Sequence, residues 1–404
     1  MTLSEELSWR GFTNQTTYPN ISDLDKQPIT FYWGVDPSAD SMTIGNLAIA
    51  MMVKHFIDHG HKAILLVGGA TGMIGDPDGK KQERDLKTLD EIAHNKAGIT
   101  AQYQNIFAGK AFEIVDNYDW FAGLGYLEFL REVGKHMSMT QLLDREFIKA
   151  RIGEGGDGIS YAEFSYSLIQ GYDFLHLFRE KGATLQVAGS DQWGNCIAGV
   201  QLIRKLEAGD AHVWTAPLIV NKQTGVKFGK SEGGAIWLDP VKTSPYKFYQ
   251  FWLNVDDDTA EDLIKIYTLL PKETVVAAIE NHRANPGARS LQKLLAGEVT
   301  EIVHGRDRRE SVERVTNVLF GGADINSLDE ADLDALSQEI STAAKDMTVI
   351  DILVQSGVSA SNGEAKRLIQ GNAVSVNGQK ISEDQQITDI SLVKKGKNVF
   401  ILVR

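Results

Sequence analysis

The stretch that most restricts how this chain can fold runs over residues 29–56. Ile29-Thr30-Phe31-Tyr32 is a β-branched and aromatic run that predicts a strand. Residues 47–56 are mostly apolar and extend far enough for a buried helix. Between them Gly34, Asp36, Pro37, Ser38, Asp40 and Ser41 supply the residue types of a tight turn. A strand that ends in a polar turn opening a helix presents unpaired backbone N–H groups, a natural seat for phosphate.

The same grammar returns along the chain. The helix is expected to stop near Gly60, and residues 63–67 form an apolar run ending in Gly68-Gly69-Ala70-Thr71-Gly72. Strand, helix and strand with short connections make a βαβ unit and hence a parallel sheet. Residues 183–187 read as another buried strand, followed by a helix through Leu202 to Leu206, and residues 216–220 as one more strand. The expected fold class is α/β, a Rossmann-like doubly wound parallel sheet whose ligands bind at the carboxyl ends of its strands.

A chain of 404 residues suggests two or three domains. Residues 1–240 are expected to form the α/β domain, the Rossmann-type unit. Within it, residues 105–165 read as an inserted segment whose aromatics, around residues 117–121 and 129–130, suit a subunit interface or ordinary core. Consecutive helices follow over 241–325, then a linker or peripheral helix over 326–346. Residues 347–404 predict a small α+β module with an Asn377-Gly378 hairpin turn. The module carries seven Lys and Arg against five Asp and Glu, in a chain of net charge −13. A basic module on an acidic chain suits contact with RNA, or else an oligomerisation or cap domain. The acidic balance weighs against a general nucleic-acid coat. The lone Cys196 excludes an intramolecular disulfide. The first residues lack the order of a signal peptide, and no window approaches the roughly 18 unbroken apolar residues of a membrane span. The expected location is the cytoplasm, without membrane contact.

Two familiar nucleotide fingerprints are missing: there is no GxxxxGK[ST], and no GxGxxG at the first βα turn. His55, His59 and His61 have spacing that allows a metal, but at the end of a helix they more simply complement its dipole. No metal site is assigned. Lys227-Phe228-Gly229-Lys230-Ser231-Glu232-Gly233 places two lysines three apart in a Gly-containing loop, a cationic clamp suited to a departing pyrophosphate. Tyr166, Gln170 and Asp173 are spaced to share one helix face.

The pairing of Thr43-Ile44-Gly45-Asn46 after the first strand with this Lys-rich loop after the last resembles the HIGH and KMSKS signatures of class I aminoacyl-tRNA synthetases. Asp36-Pro37-Ser38-Ala39-Asp40-Ser41, residues 68–77, Phe164-Ser165-Tyr166, Gln170-Gly171-Tyr172-Asp173 and residues 189–195 look like the bacterial tyrosyl-tRNA synthetase family. The similarity covers essentially the whole chain, and the ending resembles a ribosomal-protein S4-like RNA-binding fold. The resemblance implies tyrosine activation by ATP, transfer to tRNA(Tyr), Mg²⁺ carried with ATP, and a homodimer. It assigns Tyr32 and Asp173 to the substrate phenol, Asp76, Tyr166 and Gln170 to its ammonium, and Asn117, Gln186 and Gln192 to further pocket positions. It assigns Gly34, Asp36, Ser38, Gly45, Gly189, Asp191 and Lys230 to ATP. Thr43, Asn46, Lys80, Arg84, Lys227, Lys230 and Ser231 become the catalytic groups on the phosphate charge. The chain departs from the family where Thr43 and Asn46 replace the two histidines of HIGH, and where Trp33 replaces a small residue near the ribose. A paralogue that keeps RNA binding without charging tRNA is the alternative these departures raise.

Overall fold

The constraining stretch folds as its residues require. Helix α1 (Leu3–Arg10) and the two-residue strand β1 (Gln15–Thr16) lead into β2 (Thr30–Val35) and helix α2 (Ile44–Asp58). The computed structural model describes residues 1–77, 86–143, 146–153, 156–220, 228–231 and 234–404, with backbone alone at 141, 146, 147, 150, 230 and 231. They fall into two units, residues 1–244 with 251–299 and residues 245–250 with 300–404.

In the first unit β3 (Lys62–Val67), helix α3 (Leu89–Ile106), β4 (Phe112–Asp116), helix α4 (Tyr161–Lys181), β5 (Ala183–Gly189), helix α5 (Trp193–Glu207) and β6 (His212–Ala216) complete the main elements. The sheet order is β1-β6-β5-β2-β3-β4, with only β1 antiparallel to its neighbour. From β2 the chain moves outward to β3, and from β5 it moves the opposite way to β6. The crevice between the carboxyl ends of β2 and β5 is therefore the topological switch point.

Alternation along β2 divides its side chains between two layers. Phe31 meets Phe56 of α2 at 4.9 Å and Trp33 meets Tyr103 of α3 at 5.4 Å between ring centroids. Tyr32 points to the other face and lies 5.3 Å from Phe174 of α4. A bulge shifts the β2–β5 register between Thr30 and Phe31, so that Phe31 pairs with Leu185 and Tyr32 with Gln186. Since side-chain direction reverses with every residue, that one extra residue decides that Gln186 stands beside Tyr32.

Three elements differ from the sequence reading. The last parallel strand is His212–Ala216 rather than 216–220, because Pro217 has no N–H to continue the ladder. Residues 112–116, expected inside the inserted segment, form the edge strand β4. Residues 341–343, expected in a linker, pair parallel with Val399–Val403. The helices Asp257–Tyr267 and Lys272–Ala284 belong to the first unit. There the Arg10 guanidinium donates to the carbonyls of Lys265, Thr268 and Leu270 at 2.8–2.9 Å. His55 and His59 stand against Glu6 at 3.4 and 3.5 Å. Burial pushes His55 down to about 3, so it is a neutral packing group rather than a charge on the helix dipole.

In the second unit the Asn377-Gly378 turn forms with both residues at positive φ, 47° and 80°, and joins Val374–Val376 to Gln379–Lys380. Those strands, with Ser391–Lys395, Val399–Val403 and Ser341–Ala343, make a five-stranded sheet. Helices Val349–Gln355 and Asn362–Gln370 contribute Val349, Ile352, Leu353, Ala365 and Ile369 to a core shared with that sheet.

One face of α3 holds the turn after β2. Asn95 Nδ2 donates to the Pro37 carbonyl at 3.0 Å, and Gln102 accepts from Met42 N at 2.7 Å and donates to Ser41 Oγ at 2.8 Å. Between them sits Gly98, where a Cβ would lie 2.0 Å from the Asp40 carbonyl oxygen. Alanine ordinarily stabilises a helix interior by about 1 kcal/mol relative to glycine. At Gly98 the clash reverses the sign, so Gly98→Ala is expected to cost about 1–3 kcal/mol in denaturant unfolding. An unchanged or raised stability would contradict this packing.

Candidate functional site

A cavity of about 390 Å³ opens at the switch point. Its walls come from β2 and the turn after it (Tyr32, Gly34, Asp36, Ser38), the start of α2 (Thr43, Gly45, Asn46), α4 (Tyr166, Gln170, Asp173) and β5 with its following turn (Gln186, Gly189, Asp191, Gln192), with Asp76 beside them. The residues singled out in the sequence thus converge from five separate segments.

The buried end is built around Asp173. Its Oδ1 accepts from Trp120 Nε1 at 2.9 Å and its Oδ2 from Asn117 Nδ2 at 3.1 Å. Asn117 is fully buried and is not on the cavity wall; it also accepts from Ala70 N at 2.7 Å and donates to Thr71 Oγ1 at 3.0 Å. It therefore holds Asp173 from behind. Burial pushes the Asp173 carboxyl up to about 8, against the lowering pull of those two donors. Burial also raises Tyr32 well above its ordinary value. Among the described residues the Tyr32 hydroxyl and Gln186 Oε1 have no hydrogen-bond partner. Buried polar atoms without protein partners are rare, and these two face a cavity in which a ligand or water can pair with them.

Nearer the mouth, Asp36 accepts from Tyr166 OH at 2.7 Å and from Thr71 Oγ1 at 2.6 Å. Burial, with Asp36 next, raises the Tyr166 phenol well above its usual range, so it stays a neutral donor to Asp36 with its own oxygen available as acceptor. Gln192 Nε2 donates to Asp76 Oδ2 at 2.6 Å. At the entrance to α2, Asn46 Oδ1 accepts both Thr43 N (3.0 Å) and Thr43 Oγ1 (3.1 Å). The Thr43 hydroxyl is thereby committed, and the amide Nδ2 of Asn46 is the side-chain donor this pair presents. Trp33 lies on the α3 side with its ring against Tyr103 and Phe107.

Lys80, Arg84 and Lys227 lie outside the described residues, and of Lys230 and Ser231 only the backbone is described, as a short strand paired with Gly234–Ala235. Thr71 and Trp120 are the residues the sequence reading left without a role. Thr71 was visible within Gly68-Gly69-Ala70-Thr71-Gly72, whereas Trp120 was hidden in an aromatic run that packing alone could explain.

Fold and site together define a doubly wound α/β protein with a cavity at its switch point, closed and polar at one end and bounded by the N-terminus of α2 at the other. The family model described as tRNA synthetases class I (W and Y) matches residues 24–321, and one described as Tyrosine--tRNA ligase SYY-like C-terminal domain matches residues 331–404. The chain is 44% identical to the tyrosine–tRNA ligase of Bacteroides thetaiotaomicron, covering 100% of each. It is 40% identical to that of Limosilactobacillus reuteri, again covering 100% of each. Among solved structures, a C-terminally truncated mitochondrial tyrosyl-tRNA synthetase of Aspergillus nidulans matches with a TM-score of 0.72 at 29% identity, over 79% of this chain and 94% of that one. The chain belongs to the class I tRNA synthetases, in their tyrosine–tRNA ligase family.

The raised Asp173 carboxyl has a measurable consequence. Folded, it keeps its proton up to about pH 8, whereas unfolded it loses it near 3.8. Its contribution to stability is therefore fully present below the unfolded value and is lost as pH rises toward 8. The ligand-free stability of Asp173→Asn relative to the parent is expected to improve steadily between about pH 5 and pH 8 in denaturant unfolding. A difference that stays flat with pH would contradict the assignment.

Proposed function

We propose that this cavity is where the chain, as a tyrosine–tRNA ligase, makes tyrosyl-adenylate before passing the tyrosyl group to tRNA(Tyr). The observation that carries the reading is the trio at the closed end: Asp173 held by two neutral donors, with the unpartnered Tyr32 hydroxyl and Gln186 Oε1. A phenol there accepts from Tyr32 and donates to Asp173, which completes the hydrogen bonding of both. Asp76, the Tyr166 oxygen and Gln170, whose Nε2 is turned toward Cys196 at 3.9 Å, offer acceptors to the ammonium. Gln186 and Gln192 line the space between.

ATP would then lie across the mouth, its ribose on Asp191 and its phosphates along Gly34, Asp36, Ser38, Gly45 and Gly189, toward the N-terminus of α2. The tyrosine carboxylate oxygen attacks the α-phosphorus; the bond from that phosphorus to the oxygen bridging to the β-phosphorus breaks, and pyrophosphate leaves with the electron pair. A hydroxyl of the terminal tRNA ribose then attacks the activated carbonyl and AMP departs. The attacking carboxylate needs no base, so the site's task is positioning and charge stabilisation. That charge falls to Asn46 as donor, oriented by Thr43, and to Lys80, Arg84, Lys227, Lys230 and Ser231. No group of three or more His, Cys, Asp or Glu able to hold a metal occurs among the described residues; Mg²⁺ is expected to enter on the ATP phosphates.

The layout of 1–240, 241–325, 326–346 and 347–404 remains our functional division, with the last module contacting tRNA. Tyr126, Leu127, Met139 and Tyr161 are exposed on the segment after β4, and we assign that face to a second copy of the chain, which sedimentation at micromolar concentration reads directly. No helix among the described residues is long and apolar enough to cross a membrane, and we place the reaction in the cytoplasm.

Tyrosine-dependent exchange of pyrophosphate into ATP is the test. Exchange is expected, and Asp173→Ala should abolish it; a parent without exchange, or a variant with full exchange, would sink the reading. Reversing the exposed Lys366, Arg367, Lys380 and Lys397 to Glu should leave exchange intact and cut tRNA charging at least tenfold. Equal loss in both assays would refute a tRNA-contacting module.

A further inference from the structure

We infer that Phe228 and Tyr267 form an aromatic anchor that fixes the distance between the start of α2 and Phe228-Gly229 in the loop of the second signature. The inference rests on the reading of the cavity as an adenylate site. Phe228, which follows Lys227 in the chain and also lines the cavity, packs its ring into an aromatic cage. Its ring centroid lies 5.2 Å from Phe251, 5.8 Å from Trp252 and 6.5 Å from Tyr267. Trp252 and Tyr267 are fully buried and pack on each other at 4.6 Å, so the cage is rigid core rather than surface.

The same Tyr267 reaches the other signature. Its hydroxyl donates to the carbonyl of Ile44, the first residue of α2, at 2.9 Å. The loop touches that residue as well. Gly229 has φ +85°, and a Cβ there would lie 2.5 Å from Ile44 Cγ1, so only glycine fits this crossing. Two backbone bonds close the circuit: Ile44 N donates to the Ile236 carbonyl at 3.1 Å, and Ile236 N donates to the Gly229 carbonyl at 3.0 Å. Ile44 is therefore held by its N–H, its carbonyl and its side chain, each from an element that also holds the loop.

Tyr267 is not on the cavity wall. It acts through Ile44 and Phe228 as a positioning residue. What it positions is the donor end of α2 against the cationic loop, the two groups that must meet the phosphates together. An error of about 1 Å in such placement is enough to lower a rate on the order of a hundredfold.

Single-turnover adenylate formation, equilibrium tyrosine binding and amide hydrogen exchange are measured on the full chain for Phe228→Ala, Phe228→Leu and Tyr267→Phe. Phe228→Ala is expected to slow adenylate formation on the order of a hundredfold, with tyrosine affinity unchanged within about twofold and faster amide exchange at Ile44 and Ile236. Phe228→Leu, which refills the cage, should recover most of the rate. Tyr267→Phe, which removes one hydrogen bond, should slow the step by about two- to tenfold. The proposal is overturned if Phe228→Ala leaves Ile44 and Ile236 exchange unchanged, if all three variants keep the parent rate, or if tyrosine affinity falls as much as the rate. Amide exchange requires no catalysis, so it decides the anchor even if the parent forms no adenylate, an outcome that would count against the function alone.

Discussion

The site depends on one buried carboxylate. Asp173 is buried at the closed end of the cavity, and its two hydrogen bonds come from neutral groups, Asn117 and Trp120. Neutral donors orient the carboxyl without neutralising it, so burial still dominates and the proton is held up to about pH 8. A cation in their place would hold Asp173 ionised and paired in the empty pocket. The arrangement trades stability of the free protein for a strong demand on the ligand.

That demand is placed correctly because several backbone decisions agree. The bulge in the β2–β5 register sets Gln186 beside Tyr32. Asn117 follows β4 and ties Asp173 to the turn after β3 through Ala70 and Thr71. Thr71 in turn donates to Asp36 at the end of β2. A connected set of hydrogen bonds thus runs from the closed end of the cavity to its mouth, and α3 braces the outer turn through Asn95, Gly98 and Gln102.

Much of this was legible in the chain. The β2-turn-α2 unit could be read because its apolar runs are long and its breakers are Gly, Pro and Asp, and the Asn377-Gly378 hairpin because few other residue pairs accept two positive φ values. The polar stripe Tyr166, Gln170, Asp173 was visible from helical spacing. Edge elements were not. β1 has two residues, too few to show any period, and β4 carries Glu113 and Asp116 in a short alternation that competes with helix. The role of Trp120 needed tertiary structure, since nothing local separates an indole that packs from one that donates. The commitment of the Thr43 hydroxyl to Asn46 also followed only from geometry; spacing alone gave both residues equal standing as donors.

In the proposed function, the buried, unmatched polar groups of the closed end select a phenol. Each group left unpaired costs about 1–3 kcal/mol, so phenylalanine should be rejected by at least about a hundredfold. The direct measurement is the ratio of kcat/KM for tyrosine and phenylalanine in pyrophosphate exchange, for the parent and for Tyr32→Phe. A large ratio is expected in the parent, falling at least about tenfold when the Tyr32 hydroxyl is removed. A parent that activates both amino acids equally, or a ratio indifferent to that hydroxyl, would contradict it.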